Sequence, residues 1–189
     1  MEWRELIVDG YDRLPELVEE VLAGVRAADL DWPPRPGCNP LGWTVWHLTR
    51  VQDSQIADLA GEPSLWTRGG WHARFARPPD DDDSGYGHTP EQVRAFHSPS
   101  AKVQLDYLRA VTERTKQYLA TLGPADLDRE LDEPWQDPPP PTVAVRIVSI
   151  VADCHQHAGE ASYIRGLLKA RNKASRSSGR KAPRKRRSR

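Results

Sequence analysis

The stretch TVAVRIVSIVADC, residues 142–154, decides how this chain folds. Its β-branched residues would suit a strand. Val143, Ile147 and Ile150, however, are continued by Ala158, Tyr163, Ile164 and Leu167 at helical spacing, over a length that strands do not reach. The reading is therefore a long helix over 142–170. With no other convincing strand in the sequence, it makes the protein all-α.

Three further long helices surround it. Ile7, Tyr11, Leu14, Val18, Val21 and Val25 recur at three- and four-residue steps and predict a helix over 3–26. Pro15 within that run lacks a backbone donor and is expected to kink it or start a new segment. Asn39 as N-cap, Pro40 at the first helical position and Gly61 as stop bound a second helix. Leu105, Leu108, Val111, Thr115, Leu119 and Leu122 mark a third over 99–122, ended by Gly123-Pro124. The result is a four-helix bundle. Its second-to-third crossover, 62–88, is long and expected to be partly helical or to form a functional lid. Thr89 and Gln92 predict a capping box after it. A proline-rich connector, Pro134 to Pro141, leads into the last helix.

The chain has 189 residues and balanced formal charge, 27 Lys+Arg against 27 Asp+Glu. That balance conceals an asymmetry. Residues 171–189 hold ten basic residues and no acidic one, leaving 17 basic and 27 acidic in residues 1–170. The expected organisation is an acidic bundle over 1–170 and a disordered basic tail over 171–189. A uniformly basic nucleic-acid-binding domain is excluded. No segment approaches the ~18 apolar residues of a membrane span, and the N-terminus lacks a signal-peptide layout, so the expectation is a cytoplasmic protein without membrane contact. Cys38 and Cys154 are too few for a disulfide framework.

Chemistry concentrates on two helices. His47 lies near the middle of the second; Asp153 and His157 lie four residues apart on the fourth, and so on one face. Bundles build metal sites from side chains projecting inward on facing helices. Three such ligands leave a coordination position open. The spacing alone equally suits a hydrogen-bonded structural histidine.

The segments NPLGWTVWHLTRVQD (39–53), DSGYGHTPEQV (83–93), YLATLGPADLDRELD (118–132) and VRIVSIVADCHQHAGEASYIRGLL (145–168) together resemble the DinB-like superfamily, the metal-dependent bundle, and within it an actinobacterial branch. That superfamily includes mycothiol-dependent maleylpyruvate isomerase and bacillithiol transferases. The resemblance implies a divalent cation, zinc or nickel, held by one residue of the second helix and two of the fourth. By position these are His47, Asp153 and His157. Asp153 stands where relatives commonly carry histidine, which lowers the net charge of the site by one and favours harder oxygen ligation. Glu160, commonly Gln in relatives, is a fourth ligand, an orienting partner or a general base. The implied activity is S-transfer or thiol-assisted isomerisation of a small electrophile with a low-molecular-weight thiol such as mycothiol as cosubstrate. The alternative is a non-catalytic metal-binding or structural bundle.

Other residues carry open readings. Arg50 holds a ligand carboxylate or makes a salt bridge to another helix. Trp43 walls the pocket for a cofactor or packs in the core with Trp46. Trp71, Tyr86 and His88 cap the bundle mouth or belong to an ordinary long loop. His155 and Cys154 point away from the Asp153/His157 line, as a surface or packing residue and a buried inert thiol. Cys38 sits in a loop without a supporting motif. Asp80–Asp83 reads as a solvated charge patch lacking calcium-loop spacing. The tail suits weak nucleic-acid contact or acidic partners, without aromatic residues for base stacking. A homodimer is compatible with the sequence.

Overall fold

A computed structural model of the protein describes residues 2–132 and 139–179. Part of the proline-rich connector and residues 180–189 of the tail lie outside that range. Nine helices are present among the described residues: α1 (Trp3–Leu22), α2 (Ala27–Leu30), α3 (Leu41–Ala60), α4 (Leu65–Arg68), α5 (Trp71–Arg74), α6 (Pro90–Arg94), α7 (Ala101–Thr121), α8 (Pro124–Leu127) and α9 (Val143–Gly179). The β-branched opening of α9 is helical, as its long-range period required. The only extended pairing among these residues is a single bridge between Glu130 and Thr142.

The four long helices close a ring in which α9 packs on α3 and α1, and α7 packs on the same two. Their facing stripes form the main core: Tyr11, Leu14 and Val18 meet Val45, Leu48, Leu108, Ile147, Ile150 and Ala158, among others. Full burial of each valine, leucine or isoleucine among them contributes about 1.5–3 kcal/mol. Two expected α9 core residues are not core: Tyr163 is 71% exposed and Leu167 37%, while Leu168 is fully buried. The cause is register: the buried stripe runs through Ile147, Ile150, Ala158, Ile164 and Leu168, and at 3.6 residues per turn Tyr163 and Leu167 fall outside it.

Boundaries differ where local chemistry competes with packing. α1 runs through Pro15 as one helix, so no new segment starts there. Leu14 and Val18 on either side are fully buried, so core packing keeps the segment helical although Pro15 has no N–H to donate. Pro40, not Asn39, is the cap residue of α3, in extended conformation. Gly61 is the left-handed stop, at φ 64°. Thr89 and Gln92 close the expected capping box. α9 continues to Gly179, nine residues past the expected end at 170. Its Ala, Lys and Arg residues are good helix formers and extend a helix already nucleated by the bundle.

The crossover builds a second core. Trp66, Trp71 and Phe75 from its short helices, with Phe96, pack on Trp43, Trp46, Tyr107 and Val111 of α3 and α7. That aromatic layer explains how so long a connection stays ordered, and it brings residues 80–88 back over the middle of α3.

Candidate functional site

α3 presents His47 toward α9, where its ring meets that of His157 edge-on at 4.7 Å between centroids. Asp153, one turn earlier on α9, places Oδ1 3.6 Å from His157 Nε2. The structure thus brings together the three side chains expected to share a site. Among the described residues, however, no group of three or more His, Cys, Asp or Glu side chains is close enough to hold a metal ion as it stands.

Both imidazoles are tied at Nδ1. His47 Nδ1 donates to the Ser84 carbonyl at 2.6 Å, and His157 Nδ1 donates to Glu160 Oε2 at 2.7 Å. A proton on Nδ1 leaves Nε2 as the lone-pair nitrogen in the neutral ring. On His157 that lone pair then lies 3.6 Å from a carboxylate oxygen, and two acceptors do not hydrogen-bond to each other. Asp153 Oδ2 is also buried without a hydrogen-bond partner, a costly condition for a carboxylate oxygen. The donor set, two imidazole nitrogens and a carboxylate, therefore fits a borderline divalent cation. The side chains of Asp153 and His157 are 40% and 20% exposed, which leaves them room to turn toward an ion.

His47 is buried, and burial pulls its pKa below the usual 6.5 more strongly than the Ser84 carbonyl raises it; His157 lowers it further, while Asp153 and Glu160 oppose. The folded protein thus binds fewer protons at this ring than the unfolded chain does. Its contribution to stability is complete above about pH 6.5 and is lost as pH falls from there toward the lowered folded value. Urea midpoints are expected to drop between about pH 7.5 and pH 5.5, and His47→Gln is expected to flatten the drop. An equal drop in both proteins would remove His47 as its source.

The loop above His47 is built to stay. Gly85 adopts φ +88°, and a Cβ there would come within 2.8 Å of Trp46, 2.9 Å of Trp43 and 3.1 Å of His47 Nδ1. Only glycine permits both that backbone and that approach. Arg50, fully buried, donates from Nε to the Asp83 carbonyl at 3.0 Å and from Nη2 to the Asp81 carbonyl at 2.8 Å. It therefore grips the loop, and these donors are committed to backbone rather than turned to a ligand. Its pairing with Asp53 lies within the same helix, one turn away, not across to another. Asp53 accepts from the Leu65 and Trp66 amides and from the Tyr107 hydroxyl at 2.7 Å. Trp43 stacks on His47 at 4.8 Å and donates from Nε1 to His88 Nδ1 at 3.3 Å. His88 Nε2 in turn donates to Asp83 at 3.0 Å.

Not every expected residue joins the site. Trp71 stacks on Tyr107 at 5.0 Å within the aromatic layer, away from the His47/His157 junction. Tyr86 is 91% exposed at the rim. Asp80–Asp83 is only partly a solvated patch: Asp83 pairs with Arg77 at 2.5 Å, and Asp81 accepts from Ser64 and Thr67. Cys154 is buried against the Leu48 carbonyl, its thiol pKa pushed far up by burial. His155 turns back to the Val151 carbonyl. No motif or spacing marks Ser84 or Gly85 individually, although the run Gly85-Tyr86-Gly87-His88 signals an unusual backbone.

Two cavities flank the junction. One of 510 Å³ is lined by His47, Asp153, Ser84, Tyr86, Gln55 and Arg146, among others. The other, of 680 Å³, reaches Glu160, Thr44, Tyr163, Trp32 and Cys38.

Comparison with known proteins agrees with this architecture. The profile described as DinB superfamily matches residues 11–161. A crystal structure described as the conserved protein of locus from Enterococcus faecalis superposes with a TM-score of 0.82 at 32% identity, covering 90% of this chain and 99% of that one. No curated protein matches.

Proposed function

Because the chain belongs to the DinB superfamily, we propose that it is a divalent-cation-dependent enzyme that joins a low-molecular-weight thiol to a small electrophile or uses the thiol to assist isomerisation. His47, Asp153 and His157 would hold the cation, with zinc or nickel suited to the mixed nitrogen and oxygen donors. When bound, the ion lowers the pKa of a thiol so that thiolate is available at neutral pH.

The observation that carries this reading is the paired tethering of Nδ1 on His47 and His157, beside a carboxylate oxygen without a partner. Fixing the far nitrogen orients the near one, which is how outer partners tune ligating histidines. Ser84 and Glu160 are positioning residues in this scheme; Glu160, 55% exposed, also accepts the thiol proton. Trp43 restricts the His47 ring by stacking. Arg50 holds the loop that carries Ser84. The two cavities provide separate approaches for thiol and electrophile, as a two-substrate reaction requires. A thiol of the mycothiol type in the reducing cytoplasm completes the scheme.

Titration calorimetry with zinc and with nickel is expected to give one bound ion per chain. His47→Ala is expected to weaken binding by more than about 100-fold, a larger loss than the 10- to 100-fold typical of an orienting partner such as Glu160. S-conjugation of mycothiol to an aryl halide is then expected in the loaded wild type and absent in His47→Ala. Absence of cation binding would sink the proposal. Binding without conjugation would leave the non-catalytic metal-binding bundle.

A further inference from the structure

We propose that the outer face of α9 binds a second copy of this chain, the two helices running antiparallel about a two-fold axis beside Gln156. The exposed positions of α9 from 145 to 159 are Val145, Val148, Ser149, Ala152, Gln156 and Gly159, none of them charged. Arg146 and Asp153 lie half-buried on the flank. Tyr163 and Leu167 carry the strip on toward the C-terminus, and Tyr163, Val145 and Val148 each expose more than half of their surface. On a chain that is 29% charged, an uncharged, largely apolar solvent face of this length marks a contact surface.

The charges at its two ends name the partner. Beyond the strip, Lys169, Lys173 and Arg176 are exposed at four- and three-residue steps, on one side of the helix. Beside the start of α9, where Glu130 bridges to Thr142, exposed Asp126, Asp128, Glu130 and Asp132 stand against a single base, Arg129. One end of the strip is therefore basic and the other acidic, with a neutral middle. A second copy, reversed, supplies the matching order. Parallel pairing would set like charges side by side, which costs affinity; antiparallel pairing satisfies both ends at once.

Shape agrees with charge. About a two-fold axis between His155 and Gln156, Ala152 faces Gly159 of the second copy, Val148 faces Tyr163, and Val145 faces Gly166. A Cβ at Gly159 or Gly166 would meet nothing within 4 Å, so both positions leave room for the opposing side chain. Lys169 arrives opposite Thr142, beside Glu130. From Val145 to Arg176 the strip is ~47 Å long at 1.5 Å per residue. Two such strips about 11 Å wide bury roughly 1,000 Å², enough for a small specific interface. Both large cavities lie on the α3 flank of α9. The pairing sets the 510 Å³ cavity of one copy, whose α9 wall spans 145–153, across from the 680 Å³ cavity of the other, whose α9 wall spans 160–167. The junction of His47 and His157 then opens into a chamber shared by two chains, although the pairing itself needs no cation.

Sedimentation velocity of the full chain without added metal, from about 1 to 200 μM, tests this. Expected is a shift from one chain to two, with a Kd on the order of 10 μM. Gly159→Arg and Val148→Glu, both at exposed positions, are each expected to weaken association at least about tenfold, with helicity checked by circular dichroism. Lys169→Glu with Lys173→Glu, and separately Glu130→Lys with Asp132→Lys, should weaken it by about the same factor. All four charge changes in one chain should restore association to within about threefold of wild type, because each reversed end then meets a reversed partner. A monomer at every concentration, association untouched by both Gly159→Arg and Val148→Glu, or no recovery in the folded fourfold variant would overturn the proposal.

Discussion

Gly85→Ala is expected to lift the 80–88 loop off His47 and to destabilise the fold by about 3 kcal/mol. Two costs combine. The left-handed backbone at φ +88° disfavours any Cβ, and the space for that Cβ is already occupied by two indoles and an imidazole. None of the three can yield cheaply. Trp46 is fully buried, Trp43 nearly so, and His47 is held by its Ser84 contact. The functional effect exceeds the structural one. Once the Ser84 carbonyl retreats, nothing fixes the proton of His47 on Nδ1, and cation affinity is expected to fall at least tenfold even below the melting temperature. Urea denaturation with calorimetric zinc titration measures both. Wild-type stability with wild-type affinity would mean that the loop does not govern His47.

Asp53→Ala is expected to cost about 4 kcal/mol, through a buried charge rather than the site. The Asp53 carboxylate receives two backbone amides, a tyrosine hydroxyl and the guanidiniums of Arg50 and Arg114. Its removal leaves two amide donors without their acceptor, takes the carboxylate from buried Arg50 and leaves Arg114 paired with Glu62. For a domain of this size the melting temperature is expected to fall by about 8–16 °C. Arg50→Met should cost less than Asp53→Ala, since it leaves Asp53 with Arg114 and Tyr107. If Asp53→Ala melts within about 3 °C of wild type, the network is not a stabilising hub.

Much of this was legible in the sequence because it is periodic or local. The helical class of 142–170 followed from spacing that outlasts any strand. Gly61 and the Thr89/Gln92 box have fixed local geometry and stood where expected. Other features were decided by contacts distant in sequence. Pro15 does not break α1, because Leu14 and Val18 are already committed to the core. Trp71 sits in the aromatic layer because the crossover folds α5 against Tyr107, and no spacing within 62–88 encodes that approach. Arg50 offered a charge of unassigned partner; its use as a clamp on the carbonyls of Asp81 and Asp83 depends on a loop thirty residues away. Ser84 escaped notice for the same reason, since it contributes a main-chain oxygen and no side-chain signature.

The stacking of the site's parts has a consequence for its motions. His47, Asp153 and His157 all ride on the two bundle helices with the most extensive mutual packing, whose interior amides are expected to open only with the whole domain. The Ser84 carbonyl alone comes from a segment outside the ring. The centre therefore joins side chains of two helices to one main-chain oxygen of a clamped loop. Hydrogen–deuterium exchange on adding zinc should slow mainly within 80–88, while the interior of both helices keeps its already slow rate.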